Sequence, residues 1–230
     1  MTADPRLIVP LDLPTTDEAR AMVERLGEAV SFYKIGLELL ATDGMGLARE
    51  LKGQAKQVFL DWKLHDIGAT VERSARVLAG AGCDLLTVHA EPQVMTAAVK
   101  AKAGSDLKIL AVTVLTSLTE TDLRAVGVLR PPAEQVELLA RLAVGSGAHG
   151  LVCSAEEVGQ LRTALGPQPI LVTPGIRPHG AQSQDQKRTS TPGAAIQAGA
   201  SLLVVGRPIR DAADPTQAAR AIAAEIEAAL

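Results

Sequence analysis

The chain has 230 residues, 47% of them hydrophobic, with 23 Lys and Arg against 26 Asp and Glu. That length suits one domain, residues 1–230, able to bury about 70–75% of its extended surface without a disulfide or metal staple. A net charge of −3 argues against nonspecific nucleic-acid binding, and the aromatic side chains Phe32, Tyr33, Phe59 and Trp62 leave almost no stacking platform for bases.

No apolar run approaches the roughly 20 residues of a membrane span. Residues 1–15 carry Asp4-Pro5-Arg6 and lack the apolar core of a signal peptide. Cys83 and Cys153 lie in separate apolar stretches with no CxxC spacing, which reads as two buried thiols in a reducing compartment, hence the cytoplasm.

In chain order, short apolar runs alternate with stretches of helical period. Leu7–Leu11 is followed by the helical stretch Asp17–Leu26, then Phe32–Ile35 and Val58–Leu60. Thr70–Ala81 has Val and Leu at helical spacing and leads to the runs Leu85–Val88 and Ile109–Val114. Pro132–Val144 precedes Gly150–Cys153, Ala155–Leu165 precedes Ile170–Val172, and Pro192–Ala198 precedes Leu202–Val205. Pro215–Ala229 closes the series. Thr16, Ser154 and Thr191 stand where N-caps are expected, with Pro192 suited to a first helical position.

Several of the eight runs are continuous rather than alternating, as parallel strands covered on both faces should be. Eight strand–helix units in a chain of this size predict a single-domain α/β protein of the (β/α)8 TIM-barrel type. An open doubly wound sheet is disfavoured because Leu11-Asp12-Leu13-Pro14, not GxGxxG, follows the first strand. Gly44-Met45-Gly46 is too short a match and lies within a helical stretch.

In such a barrel, functional residues stand at the C-terminal ends of the strands. Asp12 ends the first strand, Lys34 the second, and Asp61 and Lys63 the third. Regular alternation aims Asp61 and Lys63 at the barrel mouth and Trp62 away from it. Lys34, from the neighbouring strand, flanks Asp61. Asp66 lies past the strand end and, taken alone, would read as a helix N-cap.

Farther along, Val204-Val205-Gly206-Arg207-Pro208 ends the eighth strand. Its glycine admits close approach of an anion to the backbone, and Arg207 can pair with phosphate oxygens. Residues 170–210 hold five basic side chains, Arg177, Lys187, Arg188, Arg207 and Arg210, against the one acid Asp185. That local cluster in an acidic protein suggests a small anionic ligand. Between Pro178 and Thr191 the chain is polar apart from Ala181 and has the character of a lid. The histidines (His65, His89, His149, His179) form no HExxH or Cys/His cluster, so no metal site is expected, and His89 reads as a hydrogen-bonded rim residue. Ser154 and Cys153 have no patterned base partner for nucleophilic catalysis.

The full string from Asp61 to Thr70, D-x-K-x-x-D-I-x-x-T, resembles the signature of orotidine 5′-monophosphate decarboxylases. The resemblance extends over Leu11-Asp12, Lys34-Ile35-Gly36, Val112-Thr113-Val114-Leu115-Thr116-Ser117, Val172 to Pro178, Asp185-Gln186-Lys187-Arg188 and Val205-Gly206-Arg207-Pro208. Gly68-Ala69 departs from the Pro-Asn often found in the family, a change that removes no ionisable group.

The resemblance implies decarboxylation of orotidine 5′-monophosphate to uridine 5′-monophosphate, the last step of de novo pyrimidine synthesis, without metal or organic cofactor. Lys63 would protonate C6 within an array of Lys34, Asp61, Lys63 and Asp66. Asp12, Lys34, Thr116, Arg177, Gln186, Gly206 and Arg207 are implied substrate-binding positions, Thr116 at the pyrimidine and Gln186 and Arg207 at the phosphate. Asp66, Ile67 and Thr70 would reach into the partner's site of a homodimer, with no nucleic-acid or membrane partner. Two rivals share features of the string. A magnesium-dependent sugar-phosphate decarboxylase or hexulose-phosphate synthase would need a further acid near Asp61, where Phe59 and Leu60 stand. A noncatalytic nucleotide-binding barrel would have lost a charged member of the array, and all four are present.

Overall fold

The computed structural model describes residues 3–178 and 189–230. All eight apolar runs are strands: β1 (Leu7–Pro10), β2 (Phe32–Ile35), β3 (Gln57–Leu64), β4 (Leu85–His89), β5 (Lys108–Val112), β6 (Gly150–Val152), β7 (Ile170–Thr173) and β8 (Leu202–Val204). They pair in parallel and in chain order, and β8 returns to β1 to close the barrel.

Around it run α1 (Thr16–Leu26), α2 (Leu37–Leu40), α3 (Gly44–Gly53), α4 (Gly68–Ala79), α5 (Pro92–Ala101), α6 (Glu120–Ala125), α7 (Pro132–Gly145), α8 (Ala155–Leu165), α9 (Pro192–Gln197), α10 (Arg207–Arg210) and α11 (Pro215–Glu227). The expected (β/α)8 barrel is thus present.

The continuity of the apolar runs follows from burial on both faces. Ile8, Phe32, Phe59, Leu85, Leu110 and Val172 point inward and fill the barrel as one cluster. Their neighbours Val9, Tyr33, Leu60, Leu86, Ala111, Leu171 and Leu203 point outward into the larger core beneath the helices. Each of the large side chains among them contributes roughly 1.5–3 kcal/mol on full burial, and together they fix the register of the strands that carry them.

Several boundaries differ from the sequence expectation; β1 stops at Pro10 and β5 at Val112, short of the expected Leu11 and Val114. Thr15, not Thr16, caps α1: its backbone is extended, and its hydroxyl accepts the Glu18 N–H at 3.2 Å. α4 begins at Gly68 rather than Thr70 and stops before Gly80 and Gly82. β3 runs on to Leu64 because the chain rejoins β4 after a bulge, with Leu64 beside Val88. Thr191 does cap α9, accepting from Ala194 at 3.2 Å, with Pro192 in its first turn.

The barrel is tight at its lower end. Gly150 stands opposite Ile170 in the β6–β7 ladder, and a Cβ there would collide with the Ile170 carbonyl. Gly150→Ala should therefore part the two strands. Overpacking of this kind costs about 1–3 kcal/mol, and a domain of this size loses about 2–4 °C of melting temperature per kcal/mol. Thermal denaturation followed by circular dichroism should show a fall of several degrees; an unchanged midpoint would mean that β6 and β7 separate without cost.

Candidate active site

The inner rung of apolar side chains sets the rung above it. Phe32 and Phe59 point into the barrel, so Lys34 and Asp61, two residues farther along, point inward at the mouth. Lys34 is buried, 7% exposed, among acidic partners. Its Nζ lies 2.9 Å from Asp12 Oδ1 and 3.4 Å from Asp61 Oδ2. Lys63 Nζ lies 2.9 Å from Asp61 Oδ1. Asp12, Lys34, Asp61 and Lys63 therefore form one chain of alternating charge across three strand ends. Gly36 makes room for it: a Cβ there would stand 2.7 Å from Asp12 Oδ1 and 3.0 Å from Lys34 Nζ.

Regular alternation does not explain how Lys63 reaches Asp61. The β3–β4 register passes from Leu60–Leu86 to Leu64–Val88, so Asp61, Trp62 and Lys63 stand against Thr87 alone. Trp62 faces the outer core as expected. Lys63, however, has φ +49°, a left-handed backbone inside a strand. For a residue other than glycine this costs on the order of 1–3 kcal/mol and persists only where its surroundings over-determine it. Such strain is most often found at functional sites.

Burial by itself would raise the Asp61 carboxyl. The charges of Lys34 and Lys63, with hydrogen bonds from Lys63 and Thr87, outweigh it and hold the group below the usual carboxylate range. Asp61 is thus ionised at neutral pH.

Two connected hollows meet at this array. One, of about 200 Å³, is lined by Phe59, Val112, Val114, Leu115, Val152 and Val204, together with Thr116 and Cys153. The other, of about 510 Å³, is lined by Asp12, Glu38, Gly206, Arg177, Arg207 and Arg210. Lys34 and Asp61 border both. Burial, and then the charge of Arg207, lowers the Arg177 guanidinium from its ordinary value, which places the two cations close enough to interact. Gly206 lies against β1, where a Cβ would meet Pro10 Cγ at 3.0 Å.

The structure thus brings together Asp12, Lys34, Asp61, Lys63, Thr116, Arg177, Gly206 and Arg207. It does not bring Asp66, Ile67 or Thr70 to the same hollows. Asp66 is exposed, and its Oδ1 accepts the Ile67 N–H at 2.6 Å. It is not the helix cap either, since Ile67 occupies that position for α4 without a side-chain bond. Ile67 is 67% exposed, and Thr70 accepts a hydrogen bond from Arg73 at 3.3 Å. Gln186, with His179, Asp185, Lys187, Arg188 and most of the expected lid, lies outside the described residues. The Arg177 N–H donates to the Ser190 carbonyl at 2.8 Å, tying the chain on either side of that segment.

His89 stands at the rim as expected, but its neighbour is the His65 ring, centroids 4.8 Å apart. Burial, followed by the charges of His65 and Lys63, lowers its pKa, which keeps the ring neutral at physiological pH. Among the described residues, no group of three or more His, Cys, Asp or Glu is placed to hold a metal ion, and no helix is long and apolar enough to cross a membrane. Sequence reasoning assigns no role to Gly36 and overlooks Thr87. The available signal for Thr87 was a lone hydroxyl in the apolar run of β4, two residues beyond the inward Leu85.

Comparisons with known proteins agree with this geometry. Residues 5–222 match the model of the orotidine 5′-phosphate decarboxylase / HUMPS family. An orotidine 5′-phosphate decarboxylase of Caulobacter sp. (strain K31) is 65% identical over 226 residues, spanning 98% of this chain and 99% of the relative. The enzyme of that name from Caulobacter vibrioides (strain NA1000 / CB15N) is 62% identical over 230 residues, 98% and 99% of the two chains. The crystal structure of orotidine 5′-phosphate decarboxylase from Lactobacillus acidophilus superposes with a TM-score of 0.87 at 39% identity, covering 97% of this chain and 99% of the other. The chain belongs to the orotidine 5′-phosphate decarboxylase / HUMPS family.

Proposed function

We propose that this chain decarboxylates orotidine 5′-monophosphate to uridine 5′-monophosphate and carbon dioxide, the last step of de novo pyrimidine synthesis. One observation carries the reading beyond family membership. The Lys34–Asp61–Lys63 array stands where an apolar hollow of base size meets a hollow lined by arginines.

The pyrimidine enters the apolar hollow with Thr116 at its polar edge, and Asp12 and Lys34 face the ribose. Arg207, Arg177, Gly206 and Gln186 take the phosphate. The carboxylate on C6 then lies beside Asp61, and C6 lies beside the Lys63 ammonium. The bond from C6 to the carboxylate breaks, its electron pair stays on C6, and carbon dioxide leaves. Lys63 gives C6 its proton, which solvent later restores.

An ammonium held by a carboxylate at 2.9 Å before substrate arrives needs little reorganisation as negative charge develops on C6. The apolar wall strengthens that interaction by excluding water. Binding energy from the remote phosphate helps to hold the base against the array.

The magnesium-dependent reading fits these residues less well. Asp12 and Asp61 each lie within ion-pair distance of a lysine, where a divalent cation would need their oxygens. We therefore assign no metal or organic cofactor to the reaction. The buried thiols of Cys83 and Cys153 suit a reducing compartment, and burial pushes the Cys83 thiol up to about 11, which keeps it unreactive. The cytoplasm is the location we infer.

The site is completed by a second copy. Asp66 and Ile67 project from the barrel mouth, and a homodimer would carry them, with Thr70, into the partner's site. Two-fold symmetry makes that loan reciprocal. The exposure of Ile67 and the absence of a capping role for Asp66 support this arrangement.

Two experiments test these readings. Turnover of orotidine 5′-monophosphate should be unchanged in excess EDTA. Loss of activity restored by magnesium would instead favour the metal-dependent branch of the family. For the shared site, Lys63→Ala and Asp66→Asn should each be inactive alone. After subunit exchange, each mixed dimer holds one intact site and one doubly defective site, so activity should return and approach about a quarter of wild type. No recovery despite demonstrated exchange would leave each barrel working alone.

A further inference from the structure

Thr87 on β4 is fully buried, yet its hydroxyl lies within the charged array. Two residues before it, Leu85 belongs to the apolar filling of the barrel. Thr87 therefore points inward and stands alone against the bulge formed by Asp61, Trp62 and Lys63. The Lys63 backbone N–H, turned by its left-handed φ, meets Thr87 Oγ1 at 3.0 Å. The same oxygen lies 3.0 Å from Asp61 Oδ1.

The direction of each bond follows from its partners. A backbone N–H can only donate, so the hydroxyl accepts there. An ionised carboxylate can only accept, so the single hydroxyl hydrogen is committed to Asp61. Lys63 Nζ reaches the same Asp61 oxygen at 2.9 Å. A closed ring results, from the backbone of Lys63 through Thr87 and Asp61 to the ammonium of Lys63. It ties the strained backbone and the charged tip of one side chain to a single carboxylate oxygen.

We propose that Thr87 is a positioning residue for the decarboxylation: its hydroxyl holds the left-handed turn of Lys63 and the orientation of the Asp61 carboxylate, and so places the ammonium against C6. This inference rests on the functional reading above. Thr87 touches no substrate atom in this account, and its effect passes through Lys63 and Asp61. The competing role is space filling, in which the methyl matters and the hydroxyl merely satisfies itself.

The substitutions Thr87→Val and Thr87→Ser separate these roles, since the first keeps the volume and removes the hydroxyl while the second does the reverse. Misplacement of a reacting group by about 1 Å can cost on the order of 100-fold. Thr87→Val should lower kcat about 10- to 100-fold while KM and the affinity for uridine 5′-monophosphate change less than about threefold. Thr87→Ser should stay within about threefold of wild-type kcat. A Thr87→Val enzyme within twofold of wild type, or a Thr87→Ser enzyme impaired as much, overturns the positioning role. Should Thr87→Val fail to unfold cooperatively or to bind uridine 5′-monophosphate, Thr87→Ala against Thr87→Ser makes the same comparison, and equal kcat in that pair overturns the role. A wild-type protein without turnover removes the functional reading and this inference with it. An active wild type matched by Thr87→Val removes this inference alone.

Discussion

The carboxylate of Asp61, held between Lys34 and Lys63, is the interaction on which the mouth of this barrel depends. Burying a lone carboxylate would cost several kcal/mol. Here two ammonium groups and a threonine hydroxyl meet it, at 3.4, 2.9 and 3.0 Å, and keep it ionised. The dependence is mutual. Without Asp61, Lys34 and Lys63 would face each other across the mouth, and the left-handed backbone of Lys63 would lose its anchor. Net stability is not what such an arrangement provides, because buried ion pairs often break even against apolar packing. What it provides is an ammonium fixed in place before a substrate arrives.

The rest of the fold can be understood as the frame for that placement. Inward-facing Ile8, Phe32, Phe59, Leu85, Leu110 and Val172 lock the strands into register. The next residues of the same parity then form the floor and walls of the site: Lys34, Asp61, Thr87 and Val112. β8 and α10 add the opposite end, where Arg207 stands near Arg177 and, after burial, disfavours its charge. Those two arginines line one hollow, the apolar side chains line the other, and Lys34 and Asp61 border both.

Much of this was legible in the sequence, for physical reasons. Parallel strands covered on both faces must be apolar throughout, so all eight were visible as runs such as Leu7–Leu11 and Ile109–Val114. Asp12, Lys34, Asp61 and Lys63 were visible because charged side chains at the ends of such runs have few structural reasons to be there. The bulge was not visible, because period-2 alternation already put Asp61 and Lys63 on one face and the right outcome concealed a different backbone. Thr87 was missed for a related reason: a hydroxyl in an apolar run becomes informative only when the opposing strand loses register. The cap of α1 fell to Thr15 instead of Thr16 because adjacent threonines are chemically equal and only the backbone angles choose between them. Asp66 was legible only through family resemblance, since among the described residues its side chain is bonded to the Ile67 N–H and to no charged group.

The central claim is that the carboxylate of Asp61 organises the reacting ammonium rather than merely closing the rim. Asp61→Asn tests it most directly, because the change preserves shape and removes the charge. Turnover of orotidine 5′-monophosphate should be measured beside the affinity for uridine 5′-monophosphate. The account predicts a fall in kcat of at least about 100-fold, the scale of losing a preorganised electrostatic contact, with product affinity kept within about tenfold. Turnover within tenfold of wild type would contradict it and leave Asp61 as an ordinary ion pair at the barrel mouth.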